Sequence, residues 1–180
     1  MQRVTLAAFT GLLFSALFGG VVVAQEAGSD EPTILTLITA ENEVIGELTE
    51  TDLLKFDQVT IWTENEFVDG MAEFTGPLVR DVLKLYDDDA EMSETAAEEM
   101  AVDDERIYIM TAVNEYSVEI PAEDFVKYDV IFAMSQDGEK FSLRTKGPIW
   151  VIYPMSDHSE IRDRMLNDRL IWQLASVAIK

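Results

Sequence analysis

The sequence predicts an α+β fold, a mixed and predominantly β, barrel-like core with short helices. Three observations lead there. Short apolar runs rich in β-branched and aromatic residues recur along the chain between turn-forming pairs. Helical spacing is confined to brief stretches such as Leu78, Val79, Val82, Leu83 and Tyr86. The chain has 180 residues, 48% of them hydrophobic, which suits one domain with a single core.

The first 24 residues read as an export signal: Arg3 supplies the positive charge, Val4 to Val23 carries none, and Val22-Val23-Ala24 offers a small-residue cleavage site. An uncleaved anchor is the competing reading, because a run of about 20 apolar residues can span a bilayer; Gly11, Gly19 and Gly20 and the cleavage pattern weigh against it. The mature protein is expected to begin at Gln25, to be periplasmic or secreted, and to leave the membrane on cleavage. Residues 25–32 (QEAGSDEP) are small, polar and proline-ended, a flexible lead, and residues 33–180 make the single domain.

Within that domain Ile34, Leu35, Leu37 and Ile38 form a first strand. Thr49-Glu50-Thr51-Asp52 ahead of Leu53-Leu54 has the spacing of a helix cap. Gln58 to Thr63 alternates as a strand, and Gly76-Pro77 opens a helix running to Tyr86. Asp87 to Glu105 holds ten carboxylates and no base. It lacks the alternating ligands, central glycine and distal glutamate of a calcium loop, so it reads as a solvated helix or loop. Ile107 to Met110 and Tyr116 to Ile120 flank Asn114-Glu115 as a hairpin, and Asp129 to Met134 and Lys140 to Arg144 flank the turn pair Asp137-Gly138. Ile149 to Tyr153 is a further strand ended by Pro154, Ser159 to Asn167 a short helix, and Leu170 to Ile179 one extended segment.

Charge excludes several functions. The chain's 13 basic and 35 acidic residues give a net charge of −22, and loss of the arginine-bearing leader leaves 12 against 35, or −23. Such a surface repels phosphate backbones and anionic lipid heads, so neither nucleic acid nor a membrane surface is an expected partner. With no cysteine, disulfides, thiolate metal sites and thiol nucleophiles are excluded. The one histidine, His158, lies beside Ser156, Asp157 and Ser159, and adjacency in sequence does not make a triad. It also leaves no recognisable zinc spacing.

The bases gather late: eight of them follow Tyr116. Arg144 and Lys146 stand two apart and would share a face on a strand, next to the Gly147-Pro148 turn and the aromatics Trp150 and Tyr153. Two readings stand. The group lines a cleft for a small anionic or heterocyclic ligand, or the bases pair with surrounding carboxylates and the aromatics belong to the core.

Four segments in order, FTGPLVRDVL (Phe74 to Leu83), EYSVEIPAEDF (Glu115 to Phe125), YDVIFAMSQDGEKFSLRTKGPIWVIYP (Tyr128 to Pro154) and RLIWQLASVAI (Arg169 to Ile179), resemble the sulfite-oxidase-type molybdopterin-binding domain in its small exported bacterial form. The resemblance implies a strongly β mixed fold with short helices. It also implies a molybdenum-binding cysteine at the end of the strand before the glycine-leucine helix, and, in a motif between glycine and proline, an arginine that helps to hold the pterin. Thr63 stands near the first place and Trp150 at the second. A threonine hydroxyl is a hard, neutral replacement for a soft thiolate. The resemblance therefore leads to an exported, non-catalytic relative that holds no cofactor and acts as a small-ligand-binding or protein-interaction module; Thr63 joins Arg144, Lys146, Trp150 and Tyr153 as candidate cleft residues. Two alternatives remain: an oxidoreductase that holds molybdopterin without a cysteine ligand, and an accessory domain for a membrane sensor or redox partner.

Overall fold

Apolar residues at every second position decide how the sheets stack. The computed structural model describes residues 31–86, 105–162 and 165–180. Its strands are β1 Thr33–Ile38, β2 Val44–Thr49, β3 Gln58–Thr63, β4 Ala72–Pro77, β5 Ile107–Ala112, β6 Ser117–Pro121, β7 Ile131–Ala133, β8 Ser135–Gln136, β9 Glu139–Lys140, β10 Trp150–Ile152 and β11 Leu174–Ile179. Between them lie the short helices α1 Glu50–Leu53, α2 Val79–Leu83, α3 Ala122–Lys127 and α4 Ser159–Arg162, with single 3-10 segments at Lys84–Tyr86 and Met165–Arg169.

The strands form three sheets: five strands in the order β2-β1-β11-β5-β6, the pair β10-β7, and four in the order β3-β4-β8-β9. The pair is the hinge of the packing. Its residues are buried on both sides, as expected of strands covered on both faces. Phe132, Val151 and Tyr153 point into the larger core with Leu35, Leu37, Tyr108, Met110 and Val177 of the five-stranded sheet. Ile131, Ala133, Trp150 and Ile152 point the other way, onto Ile61 and Phe74 of the four-stranded sheet. The period of two thus stacks the four-stranded sheet, the pair and the five-stranded sheet. The helices bury Leu53, Val79, Val82 and Phe125 in the larger core. Gly76 permits the close approach of β4 to β7, because a Cβ there would fall 1.9 Å from the Phe132 carbonyl oxygen.

Several expectations hold. The fold is mixed and sheet-rich with few short helices; β3 covers Gln58–Thr63; and β5 and β6 form the hairpin about Asn114-Glu115, with Glu115 at φ 68°. Thr49 caps α1 in a full capping box with Asp52. Others need correction. The described strands close no barrel but lie in three sheets. The Asp137-Gly138 turn joins only β8 and β9, while β7 turns away to pair with β10, because three apolar residues on each strand gain more from burial against one another than from extending a solvated hairpin. The Gly76-Pro77 pair ends β4 rather than opening a helix, and α2 begins at Val79. The helix expected over Ser159 to Asn167 is α4 followed by a 3-10 segment. The extended segment expected from Leu170 is interrupted at Gln173, in a left-handed conformation with φ 53°; its N–H donates to the Lys146 carbonyl at 3.1 Å. Glu31, at the end of the expected lead, accepts a hydrogen bond from the Thr51 N–H at 3.1 Å. The export signal and nearly all of the acidic stretch fall outside the described residues. Among the described residues no helix is long and apolar enough to cross a membrane.

Candidate functional site

The five residues singled out from the sequence do not share one surface, and the backbone explains why. Residues 142–147 form a turn, with the N–H groups of Thr145 and Gly147 both donating to the Ser142 carbonyl at 3.0 Å, so the strand-like pairing of Arg144 with Lys146 never arises. Arg144 is exposed. Lys146 instead donates from Nζ to the Phe67 carbonyl at 2.8 Å and stands 3.9 Å from the centroid of the Trp150 ring, a close cation–π contact. Its partial burial lowers its pKa.

Trp150 and Tyr153 sit three apart on and just beyond β10, hence on opposite faces. Trp150 is 0% exposed. Its Nε1–H donates to the Leu170 carbonyl at 2.9 Å, and the rings of Phe74, Phe141 and Phe67 meet it edge to face at 5.4, 5.9 and 6.4 Å. It is the centre of an aromatic core rather than a cleft wall. Tyr153, also fully buried, donates to Asp124 Oδ2 at 2.7 Å, and Arg169 pairs with the same carboxylate. Burial, then the charge and hydrogen bond of Asp124, push the pKa of the Tyr153 phenol well above its ordinary value.

Thr63 ends β3 with 0% exposure. Its hydroxyl accepts from the Ser156 N–H at 3.1 Å and lies 3.3 Å from the Glu64 carbonyl and 3.4 Å from Ser156 Oγ. Ser156 Oγ accepts in turn from the Glu64 N–H at 3.0 Å. The Thr63 oxygen is buried, neutral and already engaged. Thr63 does not fit a molybdenum ligand: its hydroxyl is a hard, neutral oxygen with 0% exposure, no thiolate stands beside it, and the one sulfur near it is the neutral Met71 thioether, 3.4 Å from Ser156 Oγ. The indole of Trp150, where the resemblance would place a pterin-holding guanidinium, is enclosed. Among the described residues no group of three or more histidine, aspartate or glutamate side chains could hold a metal. His158 packs edge to face on Tyr128 at 5.0 Å and lies 3.4 Å from Glu160.

A cavity among the described residues lies elsewhere. A cleft of about 300 Å³ opens between the loop carrying Phe67, the β5–β6 hairpin with Asn114 and Tyr116, and the segment Asn167 to Trp172. Phe67 and Trp172 stand 5.0 Å apart with their rings at 74° and make a corner. Lys146 fastens the Phe67 backbone, and an antiparallel bridge to Trp150 fastens Trp172. The Tyr116 hydroxyl donates to the Asp168 carbonyl at 3.2 Å and ties the hairpin to the far wall. Trp172 is 37% exposed, so one large aromatic surface faces solvent. The sequence reading passed over this group because its members come from three distant segments. Trp172 beside Gln173 in an otherwise mostly aliphatic run was the available signal.

No family model matches this chain, and no curated protein matches its sequence. Among solved structures, the sulfane dehydrogenase SoxCD from Paracoccus pantotrophus is similar, with a TM-score of 0.51 at 14% identity over 81% of this chain. The chain spans 37% of the length of that dehydrogenase chain. At this identity the likeness is one of fold alone, a mixed, sheet-rich α+β architecture.

Proposed function

We propose that the chain is an exported, non-catalytic binding module built on a sulfite-oxidase-like scaffold, and that it takes a small heterocyclic ligand in the cleft between Phe67, Tyr116 and Trp172. The cleft carries the proposal. Its volume of about 300 Å³ is at the lower end of the range for small-molecule sites, and its mix of apolar and aromatic walls with a few polar groups is typical of them. Trp and Tyr faces bind flat rings with little loss of side-chain freedom. The site is braced by backbone-directed bonds from Lys146 and Tyr116, so the walls stand ready before a ligand arrives.

The non-catalytic reading is supported by the engaged, buried hydroxyl of Thr63 and by the enclosure of Trp150. Export is supported by the leader pattern around Arg3 and Ala24. The test is native mass spectrometry of the protein purified from its own periplasmic or secreted fraction. The expected result is a bound small molecule that is retained by the wild type and lost in Trp172→Ala. A ligand retained equally by both proteins would place binding outside the cleft and overturn the proposal.

A further inference from the structure

We infer that the ligand of this cleft is an organic cation, a flat ring or small group bearing a fixed positive charge on nitrogen. This rests on the reading of the cleft as a binding site. Of its nine lining residues, three are aromatic (Phe67, Tyr116, Trp172), two are amides (Asn114, Asn167) and one is charged, Asp168. Among the described residues no lysine or arginine lines it. Aromatic faces present negative charge density, and a cation within about 6 Å of a ring centroid is attracted, most strongly by tryptophan. The same faces repel an anion, and Asp168, an exposed residue of the lining, adds a negative charge beside them.

The base that touches this aromatic group is already committed. The Lys146 ammonium lies 3.9 Å from the Trp150 centroid and 5.8 Å from that of Phe67 and donates to the Phe67 carbonyl, without itself lining the cleft. Its charge is engaged by those rings and that carbonyl, which leaves Trp172 and Tyr116 as the faces for a ligand cation. The field of the whole molecule works in the same direction, because a net charge of −22 concentrates cations at the surface and depletes anions. A perpendicular pair of aromatic rings with one carboxylate and two amide groups can receive a charged nitrogen that needs little hydration. The amides meet any ring substituents that donate or accept hydrogen bonds.

Three probes of similar shape separate the alternatives: N-methylpyridinium, 4-methylpyridine in mildly alkaline buffer where it is uncharged, and benzoate. Binding is read from the NMR shifts of the Trp172 indole N–H and the side-chain amides of Asn114 and Asn167. The cation is expected to bind about tenfold more tightly than the neutral ring, and benzoate more weakly than either. Asp168→Asn keeps the backbone carbonyl that Tyr116 uses, and Asp168 is exposed, so the fold is retained. That variant is expected to lose severalfold in affinity for the cation and nothing for 4-methylpyridine. Equal binding of cation and neutral ring, or tighter binding of benzoate, overturns this inference and leaves the binding module intact. If none of the probes moves the cleft signals, both readings fall.

Discussion

Thr63 and Ser156, 93 positions apart, are joined at the end of β3: the Ser156 N–H donates to Thr63 Oγ1 at 3.1 Å, and the Ser156 hydroxyl takes the next N–H, that of Glu64, at 3.0 Å. The pair locks the strand end to the loop after Pro154. Thr63→Val keeps the shape and removes the acceptor, leaving a part-buried N–H without a partner, which costs about 1–2 kcal/mol. Thr63→Ser keeps the oxygen and loses only a methyl, for about 1 kcal/mol or less. Urea denaturation of both variants checks the order, and a valine variant as stable as wild type would refute the role given to this hydroxyl.

Asp124 is the hub of the second buried polar group. It accepts from the Tyr153 hydroxyl and pairs with Arg169, and its side chain is only 13% exposed. Asp124→Ala strands a phenol and a guanidinium together and should cost about 2–3 kcal/mol, whereas Tyr153→Phe leaves the ion pair in place and should cost about 1 kcal/mol. The raised pKa of Tyr153 adds a sign. Its contribution is complete below the ordinary phenol value of about 10 and fades as the pH rises above it. Stability curves for wild type and the phenylalanine variant should therefore converge on the alkaline side.

Asp52 gives the opposite pH dependence. Its carboxylate accepts from Lys55 Nζ at 2.7 Å and from the N–H and hydroxyl of Thr49 at 3.0 and 2.7 Å. These bonds, the lysine's first, hold its pKa far below the usual carboxylate range. A depressed pKa stabilises the fold above the unfolded value of about 4, and that contribution is lost as the pH falls below it. Asp52→Asn should cost about 1 kcal/mol at neutral pH and progressively less in acid. Thermal melts of the two proteins across that range measure it, and a constant gap would contradict the assignment.

Much of the sheet was legible because its signals are local. Alternation marked Gln58 to Thr63, the turn at Asn114-Glu115 marked a hairpin, and the Thr49-to-Asp52 spacing marked a cap. The pairing of Ile131–Ala133 with Trp150–Ile152 was not, since neither strand shows alternation when both faces are buried and the partners are 17 or more residues apart in sequence. The cleft was hidden for a related reason. Phe67 lies in a loop, Tyr116 at a hairpin and Trp172 just before the left-handed Gln173, and only the assembled sheets bring them to one place. The bases around Gly147 drew attention by contrast with an acidic chain, yet Lys146 uses its charge on an aromatic core and a carbonyl.

Export makes a simple expectation. Secreted or periplasmic material should start at Gln25, because Val22-Val23-Ala24 is the small-residue site that follows the uncharged run. Intact-mass measurement decides it, and a membrane-bound form retaining residues 1 to 24 would refute cleavage.

The protein is expected to carry no molybdenum even when made in a cell that can assemble the cofactor. Metal capture at Thr63 would require its hydroxyl to give up the Ser156 N–H, which would then be left unpaired at a cost of about 1–3 kcal/mol. The gain would be a neutral oxygen contact competing with water, where a thiolate would have made a strong bond. Opening a path to a side chain with 0% exposure would also separate β3 from the loop after Pro154. At Trp150, where the resemblance would place a guanidinium with its forked donors for phosphate, stands an indole whose one N–H already serves the Leu170 carbonyl. A net charge of −22 adds repulsion towards an anionic cofactor. Each of these acts in the same direction, so elemental analysis of native protein should find far less than one molybdenum per chain. A near-stoichiometric content would require a binding mode independent of Thr63 and would return the oxidoreductase reading to first place.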